Sequence, residues 1–455
     1  LSALAFCSAL GIAQAQTDVT KEYLVNPSFE TLKAADGTTD VAVKTKLESG
    51  LYGWEISKLL DNQFSNYQVE SEASGSSTGI PANGIIKPSQ GEFYYFNRQG
   101  WGNVDGSELK TSTSKNLPIG TYYAVIDYKA ADFSNNNDAS KSGTTIGIKA
   151  ENATNELLGE NTAVRRAYST LTSNSDPYMV NAAWNELGTM FTVTEPTTVT
   201  ISLVQNMKNS GRSDIAWDNL RLYQIENVSE NKPMDVSGLI TTSNYYALGG
   251  WNIEGGNTFQ VNTWSTEGEK DGSGMTTPFI QDHVGKENKA ANATISHTVN
   301  HLIPGIYEVS GLIRVLNEAG GDTPSGATLY ANEGSTNACN GNPCTNGVYG
   351  TYTVKGTVGT DGVLTFGIKV ANANFNWVSF KNFKLQYLGA ASIEQLQATL
   401  KEKIEEAKAY VENCPKGIAA IVNAAITQGN SAQATEESLN AAIAALTQAI
   451  ALAEE

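Results

Sequence analysis

The sequence predicts a mainly β protein, in which two tandem β-sandwiches are followed by a small C-terminal α-helical bundle. Three observations support this prediction. Short β-type runs alternate with Gly, Pro, Asn and Ser turns over most of the 455 residues. Charged side chains make up only 17% of the chain and 42 residues are glycine, a composition typical of turn-rich β proteins rather than of helical enzymes. After Gly389 the composition changes to Ala, Glu, Gln, Leu and Ile, which favours helices.

The N-terminal residues predict export. Residues 1–15 read LSALAFCSALGIAQA, an apolar stretch that ends in Ala13-Gln14-Ala15, the small-x-small pattern of a signal-peptidase site. We expect the sequence to begin inside this signal peptide, and the mature protein to lie outside the cell, on its surface or in the periplasm. The alternative is a lipoprotein signal that uses Cys7, but Phe6 is large where that signal has a small residue.

The net charge argues against two classes of partner. The chain has 47 acidic and 30 basic side chains, for a formal charge of −17. A nucleic-acid binder needs a basic stripe that follows the phosphates, and anionic lipid attracts basic surfaces. Beyond the N-terminus, no apolar run reaches the length of about 20 residues that a membrane span needs. The sequence therefore predicts no nucleic-acid partner and no membrane span.

The β-type runs form two regions. The first covers residues 18–226, and in runs such as 197–204 apolar residues recur at every second position, which is typical of an antiparallel sheet with one buried face. Residues 227–234 are polar and indicate a linker. The second region covers residues 235–388.

Two motifs recur in both regions and in the same order. Leu117-Pro-Ile-Gly-Thr-Tyr corresponds to Leu302-Ile-Pro-Gly-Ile-Tyr, and each is a turn that starts a long strand. Asp218-Asn219-Leu-Arg-Leu corresponds to Lys381-Asn382-Phe-Lys-Leu, and each belongs to a closing strand. We interpret the second region as a diverged copy of the first.

Residues 391–455 predict a three-helix bundle. Ser392-Ile-Glu-Gln395 is a capping-box pattern. The apolar stripe of the first helix consists of Ile393, Leu396, Leu400, Ile404, Ala407 and Val411, at steps of three and four. Two further amphipathic stripes follow the break at Pro415 and Gly417, so the three helices are expected to pack antiparallel.

Cys339 and Cys344 flank a short Gly/Asn/Pro loop. Two thiols this close in an exported protein indicate a local disulfide. The alternative is a metal site, which would need two more His or Cys ligands, and none lies nearby in the sequence.

An ordered set of motifs in the first region resembles a known family. The set is Val25-Asn26-Pro27-Ser28-Phe29-Glu30, then Gly53-Trp54, then the Leu117 turn, and finally Trp217-Asp218-Asn219-Leu-Arg-Leu. It resembles the galactose-binding-like jelly-roll domains, especially carbohydrate-binding modules of secreted Bacteroidetes proteins. The second region keeps Gly250-Trp251 but lacks N-x-x-F-E, and it has Lys381 where the first has Asp218. The resemblance implies two jelly-roll sandwiches and carbohydrate binding.

The resemblance also implies a structural Ca²⁺ in the first sandwich, held by Glu30 and Asp218 beside backbone carbonyls. Because side chains alternate between the two faces of a strand, Asp218 in the closing strand is expected on the same face as Leu220 and Leu222, at the edge of the core. A carboxylate at that position needs a partner. The alternative is that both carboxylates accept hydrogen bonds from backbone amides or pair with a lysine. The second sandwich should bind no calcium there, because Lys381 would repel it.

The best local candidate for a sugar site lies within residues 93–103. An alternating aromatic strand runs into a Gly-flanked loop, and the candidate ligand-binding side chains are Tyr95, Asn97, Arg98, Gln99 and Trp101, with Trp264 as the counterpart in the second region. Flat aromatic rings suit the apolar face of a pyranose, and amide and guanidinium groups suit its hydroxyls. The alternative is that both tryptophans only cover the ends of the sandwiches.

No motif predicts catalysis. The chain has only three histidines and lacks the H-E-x-x-H, G-x-S-x-G, P-loop and dinucleotide patterns. The predicted function is non-catalytic binding of a poly- or oligosaccharide by an exported protein. One alternative is a structural or docking role, in which the helical bundle contacts another surface protein. The other is an accessory region of a polysaccharide-degrading enzyme whose catalytic domain lies beyond Glu455.

Overall fold

The computed structural model describes residues 15–58, 66–72, 87–99, 104–133, 145–164, 184–207, 212–241, 248–256, 259–262, 279–320, 323–338, 349–412 and 414–454. These residues form two jelly-roll β-sandwiches, one after the other, and a C-terminal cluster of three helices. The fold class predicted from the sequence is confirmed.

The first sandwich is built from twelve described strands in two antiparallel sheets. They are β1 (Gln16–Asp18), β2 (Gly50–Leu51), β3 (Trp54–Lys58), β4 (Asn66–Ser71), β5 (Phe93–Gln99), β6 (Val104–Ser112), β7 (Gly120–Phe133), β8 (Thr145–Asn152), β9 (Leu157–Val164), β10 (Asn185–Val193), β11 (Val199–Met207) and β12 (Arg212–Ile225), with the short helix α1 (Thr20–Tyr23) after β1. Sheet 1 has the order β10-β7-β12-β5-β4, with β1 also paired to β12. Sheet 2 has the order β2-β3-β6-β11-β8-β9.

The second sandwich follows after a polar connection. Its described strands are β13 (Met234–Asp235), β14 (Asn252–Gly255), β15 (Gln260–Asn262), β16 (Phe279–His283), β17 (Ala293–Val299), β18 (Gly305–Leu316), β19 (Ala327–Ala331), β20 (Gly334–Asn337), β21 (Gly350–Val358), β22 (Leu364–Val370) and β23 (Trp377–Tyr387). Sheet 3 has the order β15-β16-β23-β18-β21, with β13 paired to β23, and sheet 4 has the order β14-β17-β22-β19-β20.

The two sandwiches share one strand order. Sheet 3, read in the order β21-β18-β23-β16-β15, corresponds to β10-β7-β12-β5-β4 of sheet 1. Sheet 4, in the order β14-β17-β22-β19-β20, corresponds to β3-β6-β11-β8-β9 of sheet 2. Both closing strands also carry a β-bulge at an asparagine in the left-handed region, Asn219 (φ 54°) and Asn382 (φ 55°). Asparagine tolerates this conformation better than most residues do, and the bulge supplies a common reference point for the two copies.

Apolar contacts continue from one sandwich into the other. Tyr123, Val125 and Met190 lie on the outer face of sheet 1, yet they belong to the apolar cluster of the second sandwich. They pack against the segment around Leu239, and the Tyr307 hydroxyl lies 3.6 Å from the Met190 sulfur. Part of the outer face of sheet 1 is therefore buried by the second sandwich.

The helical bundle packs on the second sandwich. Its helices are α2 (Ile393–Val411), α3 (Lys416–Asn430) and α4 (Glu436–Glu454). The capping box is confirmed, because the Ser392 hydroxyl accepts the Gln395 amide and the Gln395 side chain accepts the Ser392 amide. The Thr399 hydroxyl of α2 donates to the Thr357 hydroxyl of β21 at 3.2 Å. In the portion of the chain that the structure describes, no helix has the length and apolarity that crossing a bilayer requires.

Candidate functional site

Two of the predicted sugar-binding residues point into the core of the first sandwich. Tyr95 is 2% exposed and stacks on Phe29 with ring centroids 5.6 Å apart. Asn97 is 4% exposed and donates to Ser107 and Gln205 at 3.1 and 2.8 Å. The predicted ligand contacts of Tyr95 and Asn97 are therefore corrected: period two in β5 places them on the inner face, and their polar atoms serve the core.

The remaining predicted ligand residues cannot be placed as side chains. Arg98 and Gln99 end β5, and the structure describes their backbone alone. Trp101, Trp264, Cys339 and Cys344 lie outside the described residues, as do residues 1–14 of the predicted signal peptide. Their predicted roles stay predictions.

The outer face of sheet 1 carries a compact group of polar and aromatic side chains that sequence reasoning missed. We call it the Trp184 face, and it consists of Gln68, Glu70, Tyr94, Lys129 and Trp184. Tyr94 donates to Glu70 at 2.9 Å, and its ring meets the half-buried Trp184 edge-on with centroids 6.2 Å apart. The Trp184 indole nitrogen donates to the Lys87 carbonyl at 3.0 Å, which fixes the ring on the sheet.

Burial shapes the electrostatics of the Trp184 face. Lys129 is 4% exposed, and its ammonium lies 5.4 Å from the centre of the Trp184 ring, within cation–π range. Burial lowers the pKa of Lys129 to about 8, so the group titrates near neutral pH. Burial, and then the charge of Glu70, raise the pKa of Tyr94 far above its ordinary value, which keeps its hydroxyl a donor.

Glu30 and Asp218 both brace the turn that leads into β5. Glu30 accepts the backbone amides of Glu92 and Phe93 at 3.0 to 3.1 Å. Asp218 is fully buried and accepts the amides of Ser89 and Gln90 at 2.9 and 3.0 Å. These contacts match the amide-capping alternative, and N–H donors directed at the carboxylate oxygens do not favour a cation there. In the described part of the chain, no group of three His, Cys, Asp or Glu side chains is arranged for a metal. Calcium at Glu30 and Asp218 stays a prediction.

Asp218 lies on the outer face of sheet 1 and not, as predicted, on the face of Leu220 and Leu222. Trp217, Leu220 and Leu222 all belong to the core, so the strand's alternation is interrupted between Asp218 and Leu220. The bulge at Asn219 is the physical reason, because one extra residue reverses the faces of everything before it.

A cleft adjoins the Trp184 face where the two sandwiches meet. Its volume is about 460 Å³, and it is lined by Asp127, Trp184, Asn185, Glu186 and Arg221 from the first sandwich and Asp235, Ser237, Asn382, Phe383 and Lys384 from the second. The Arg221 guanidinium pairs with Asp127 and with Glu186, the latter at 3.0 Å. Asp127 also accepts the Asn219 amide group at 3.0 Å, so the cleft wall is a fixed network of charges.

The second sandwich carries related chemistry at equivalent positions. When the two sandwiches are aligned at the bulges of Asn219 and Asn382 and the strand pairings are followed outward, Lys129 corresponds to Arg314 and Trp184 corresponds to Tyr349. The buried Lys381 ammonium lies 5.0 Å from the centre of the Tyr349 ring. The Arg314 guanidinium lies 4.4 Å from the centre of the Trp377 ring, which is also on this outer face. Both copies thus place a cation beside an aromatic ring on the same face.

The comparisons with known proteins give likenesses of structure only. No protein-family model matches the chain, and no curated protein matches it in sequence. The N-terminal CBM22-1–CBM22-2 tandem domain of Paenibacillus barcinonensis Xyn10C is similar over 84% of this chain and 99% of its own, with 10% identity and a TM-score of 0.24. A CBM61 structure in complex with β-1,4-galactotriose covers 44% of this chain and 97% of its own, with 13% identity and a TM-score of 0.27. A cyclase from Fischerella sp. TAU covers 44% of this chain and 94% of its own in two structures, with 12 to 13% identity and TM-scores of 0.26 to 0.27. These values identify no family.

Proposed function

We propose that this chain is an exported, non-catalytic glycan-binding protein whose first site is the Trp184 face together with the adjoining cleft. The observation that carries the proposal is the cleft beside the outer face of sheet 1, which is lined by the half-buried Trp184 ring. A fixed indole ring lies beside carboxylate, ammonium and guanidinium groups, around a cleft of about 460 Å³. Aromatic faces and convergent polar groups are what sugar recognition requires.

The position of the cleft suggests the length of the ligand. Its two walls come from different sandwiches, with Arg221 on one side and Lys384 on the other. The walls are held at a fixed separation, since Tyr123, Val125 and Met190 tie the sandwiches together through apolar contacts. A chain of several sugar units fits this arrangement better than a single terminal unit does.

The experiment is a glycan-array screen of the full chain, followed by calorimetry on any glycan that binds. We expect Trp184→Ala to weaken binding by about tenfold or more, equivalent to about 1.4 kcal/mol. Tyr52→Ala is the matched control, because Tyr52 is a 40% exposed aromatic residue of the same sandwich that does not line the cleft. Thermal melts of each variant separate lost binding from lost folding.

Two outcomes would contradict the proposed site. Binding that survives Trp184→Ala but is lost in Trp101→Ala or Trp264→Ala would move the site to the loops predicted from the sequence. A folded protein that binds nothing across a broad array would overturn the glycan function and favour the docking role of the helical bundle.

A further inference from the structure

The turn that leads into β5 connects Asp218 to Trp184. Asp218 is fully buried and accepts the backbone amides of Ser89 and Gln90 at 2.9 and 3.0 Å. At the start of the same turn, the Lys87 carbonyl accepts the indole N–H of Trp184 at 3.0 Å. A buried carboxylate and the aromatic ring of the candidate site are therefore joined through one short stretch of backbone.

The stretch of backbone between these hydrogen bonds is stiff. Pro88 is the residue between Lys87 and Ser89, and its ring fixes the φ angle. The peptide bonds on either side of Pro88 are planar. The Lys87 carbonyl and the Ser89 amide are thus separated by a single freely rotating backbone bond, the Cα–C bond of Pro88. While Asp218 holds the Ser89 amide, the Lys87 carbonyl has little freedom to move away from the indole.

The other contacts of the Trp184 ring do not involve its N–H group. The Tyr94 ring meets it edge-on with centroids 6.2 Å apart, and the Lys129 ammonium lies 5.4 Å from its centre. Ring contacts of this kind tolerate sliding and rotation, whereas an N–H···O hydrogen bond requires a defined direction. The orientation of the indole in its plane therefore depends on the Lys87 carbonyl.

The same turn also supports the charged wall of the cleft. The Ser89 hydroxyl donates to Asp127 at 2.7 Å. Asp127 lines the cleft and pairs with the Arg221 guanidinium. The Trp184 ring and the pair of Asp127 and Arg221 therefore share one support, which is anchored on Asp218.

The second sandwich holds its equivalent aromatic ring differently. Lys381 occupies the position of Asp218, and an ammonium cannot accept a hydrogen bond from a backbone amide. The equivalent aromatic residue, Tyr349, donates its hydroxyl to Ser379 of the sheet at 3.1 Å. Support of the ring through a turn is thus associated with the aspartate, and direct support on the sheet with the lysine.

We propose that Asp218 is a positioning residue of the Trp184 face. It holds the turn that leads into β5, and the turn holds the Trp184 ring in the orientation that lines the cleft. The consequence for glycan affinity rests on the proposed function, whereas the consequence for the position of the ring does not.

The first measurement is the exchange of indole protons with solvent in the full chain, followed by NMR with isotope-labelled tryptophan. Trp184→Phe identifies the signal of Trp184 among the seven tryptophans. We expect Asp218→Ala to speed the exchange of the Trp184 indole proton by about tenfold, because the carbonyl that holds this proton is released. Asp218→Asn should change the exchange less, since its amide oxygen can still accept the backbone N–H groups.

Pro88→Gly tests the stiff link without removing the carboxylate, and it should also speed the exchange of this proton. The matched control is Glu108→Ala, which removes a partly buried and hydrogen-bonded carboxylate from sheet 2 of the same sandwich. This control should leave the Trp184 proton unchanged. Unchanged exchange in Asp218→Ala or, where that variant does not fold, in Pro88→Gly would overturn the proposal. An equal increase in Glu108→Ala would do the same.

The second measurement is calorimetry with a glycan found by the array. Asp218→Ala should weaken binding by about three- to tenfold. The double variant that combines Trp184→Ala with Asp218→Ala should bind no more weakly than Trp184→Ala alone, because a positioning residue then has no ring to position. Two fully additive losses would show that Asp218 acts independently of Trp184 and would overturn the proposal. If no glycan binds, the proposed function fails, and the exchange measurement still decides the role of Asp218.

Discussion

The two sandwiches agree in strand order and differ in the chemistry of their outer faces. Both closing strands bulge at an asparagine, and both copies place an aromatic residue before the equivalent edge strand, Trp184 and Tyr349. At the position before the bulge, however, the first copy has Asp218 and the second has Lys381, and both are fully buried. Backbone geometry has persisted while the charge has reversed. Outer-face residues are free to diverge because the apolar alternation of the inner face maintains the fold.

Two glycines occupy equivalent positions in the two sandwiches, where the backbone of a neighbouring strand leaves no room for a side chain. Gly159 in β9 and Gly334 in β20 occupy matching positions, opposite Ala150 and Ala331. A Cβ atom at Gly159 would lie 2.3 Å from the Met190 carbonyl oxygen, and one at Gly334 would lie 1.8 Å from the Lys355 carbonyl oxygen. In both copies the edge strand of one sheet therefore approaches the edge strand of the other too closely for any side chain.

The largest effect is predicted for these glycines. Gly159→Ala and Gly334→Ala should each lower the free energy of unfolding by about 1–3 kcal/mol or more, because backbone atoms must move apart. Gly334→Ala should cost more, since its contact is closer. Urea denaturation measures both effects. Gly417→Ala in α3 is the control, because nothing lies within 4 Å of its Cβ position and alanine favours helices. Equal stability of all three variants would contradict the close approach of the sheets.

A smaller difference is expected between the two Gly-Trp tryptophans. The Trp54 indole nitrogen donates to the Asn26 carbonyl at 2.8 Å, whereas the Trp251 indole nitrogen is buried without an acceptor among the described residues. Trp54→Phe loses a hydrogen bond and should cost about 1–2 kcal/mol more than Trp251→Phe, which removes an unsatisfied donor. Differential scanning calorimetry of both variants checks the order. A greater loss in Trp251→Phe would mean that ring volume outweighs the hydrogen bond.

The fold could be predicted because its signals are local. The alternation of apolar residues in the β-type runs, the turns that begin at Leu117 and Leu302, and the capping box at Ser392 each depend on a few neighbouring residues. The face of Asp218 could not be predicted in the same way. It depends on the conformation of Asn219, and an asparagine in a strand pattern gives no certain sign of a bulge.

The candidate site was harder to predict because both faces of β5 are aromatic. Tyr95 is on the inner face and Tyr94 on the outer face, and the sequence does not distinguish them. Trp184 joins Tyr94 from a segment about ninety residues away, so no local pattern connects them. The correspondence of Trp184 with Tyr349 emerges only when the two copies are aligned through their strand pairings, so the sequence alone did not reveal it.

A dependence of stability on pH is predicted for Asp218. Burial raises the pKa of Asp218 from 3.8 to about 7, although the amides of Gln90, Asn219 and Ser89 oppose the rise. The folded state therefore binds more protons than the unfolded state between about pH 4 and 7, and its stability should fall as the pH rises through this window. Urea denaturation at several pH values should show this slope in the wild type and not in Asp218→Asn.

The dependence of stability on pH also tests the predicted calcium site. The second sandwich should not respond to Ca²⁺, because Lys381 replaces Asp218 there. A calcium ion at Asp218 favours the ionised carboxylate, so millimolar Ca²⁺ should flatten the slope and raise the melting temperature at neutral pH if the ion binds. EDTA should then reverse both changes in the wild type and neither in Asp218→Asn. If Ca²⁺ leaves the slope of the wild type unchanged, the hydrogen bonds from Ser89, Gln90 and Asn219 are sufficient partners for Asp218, and the predicted calcium site of the first sandwich is wrong.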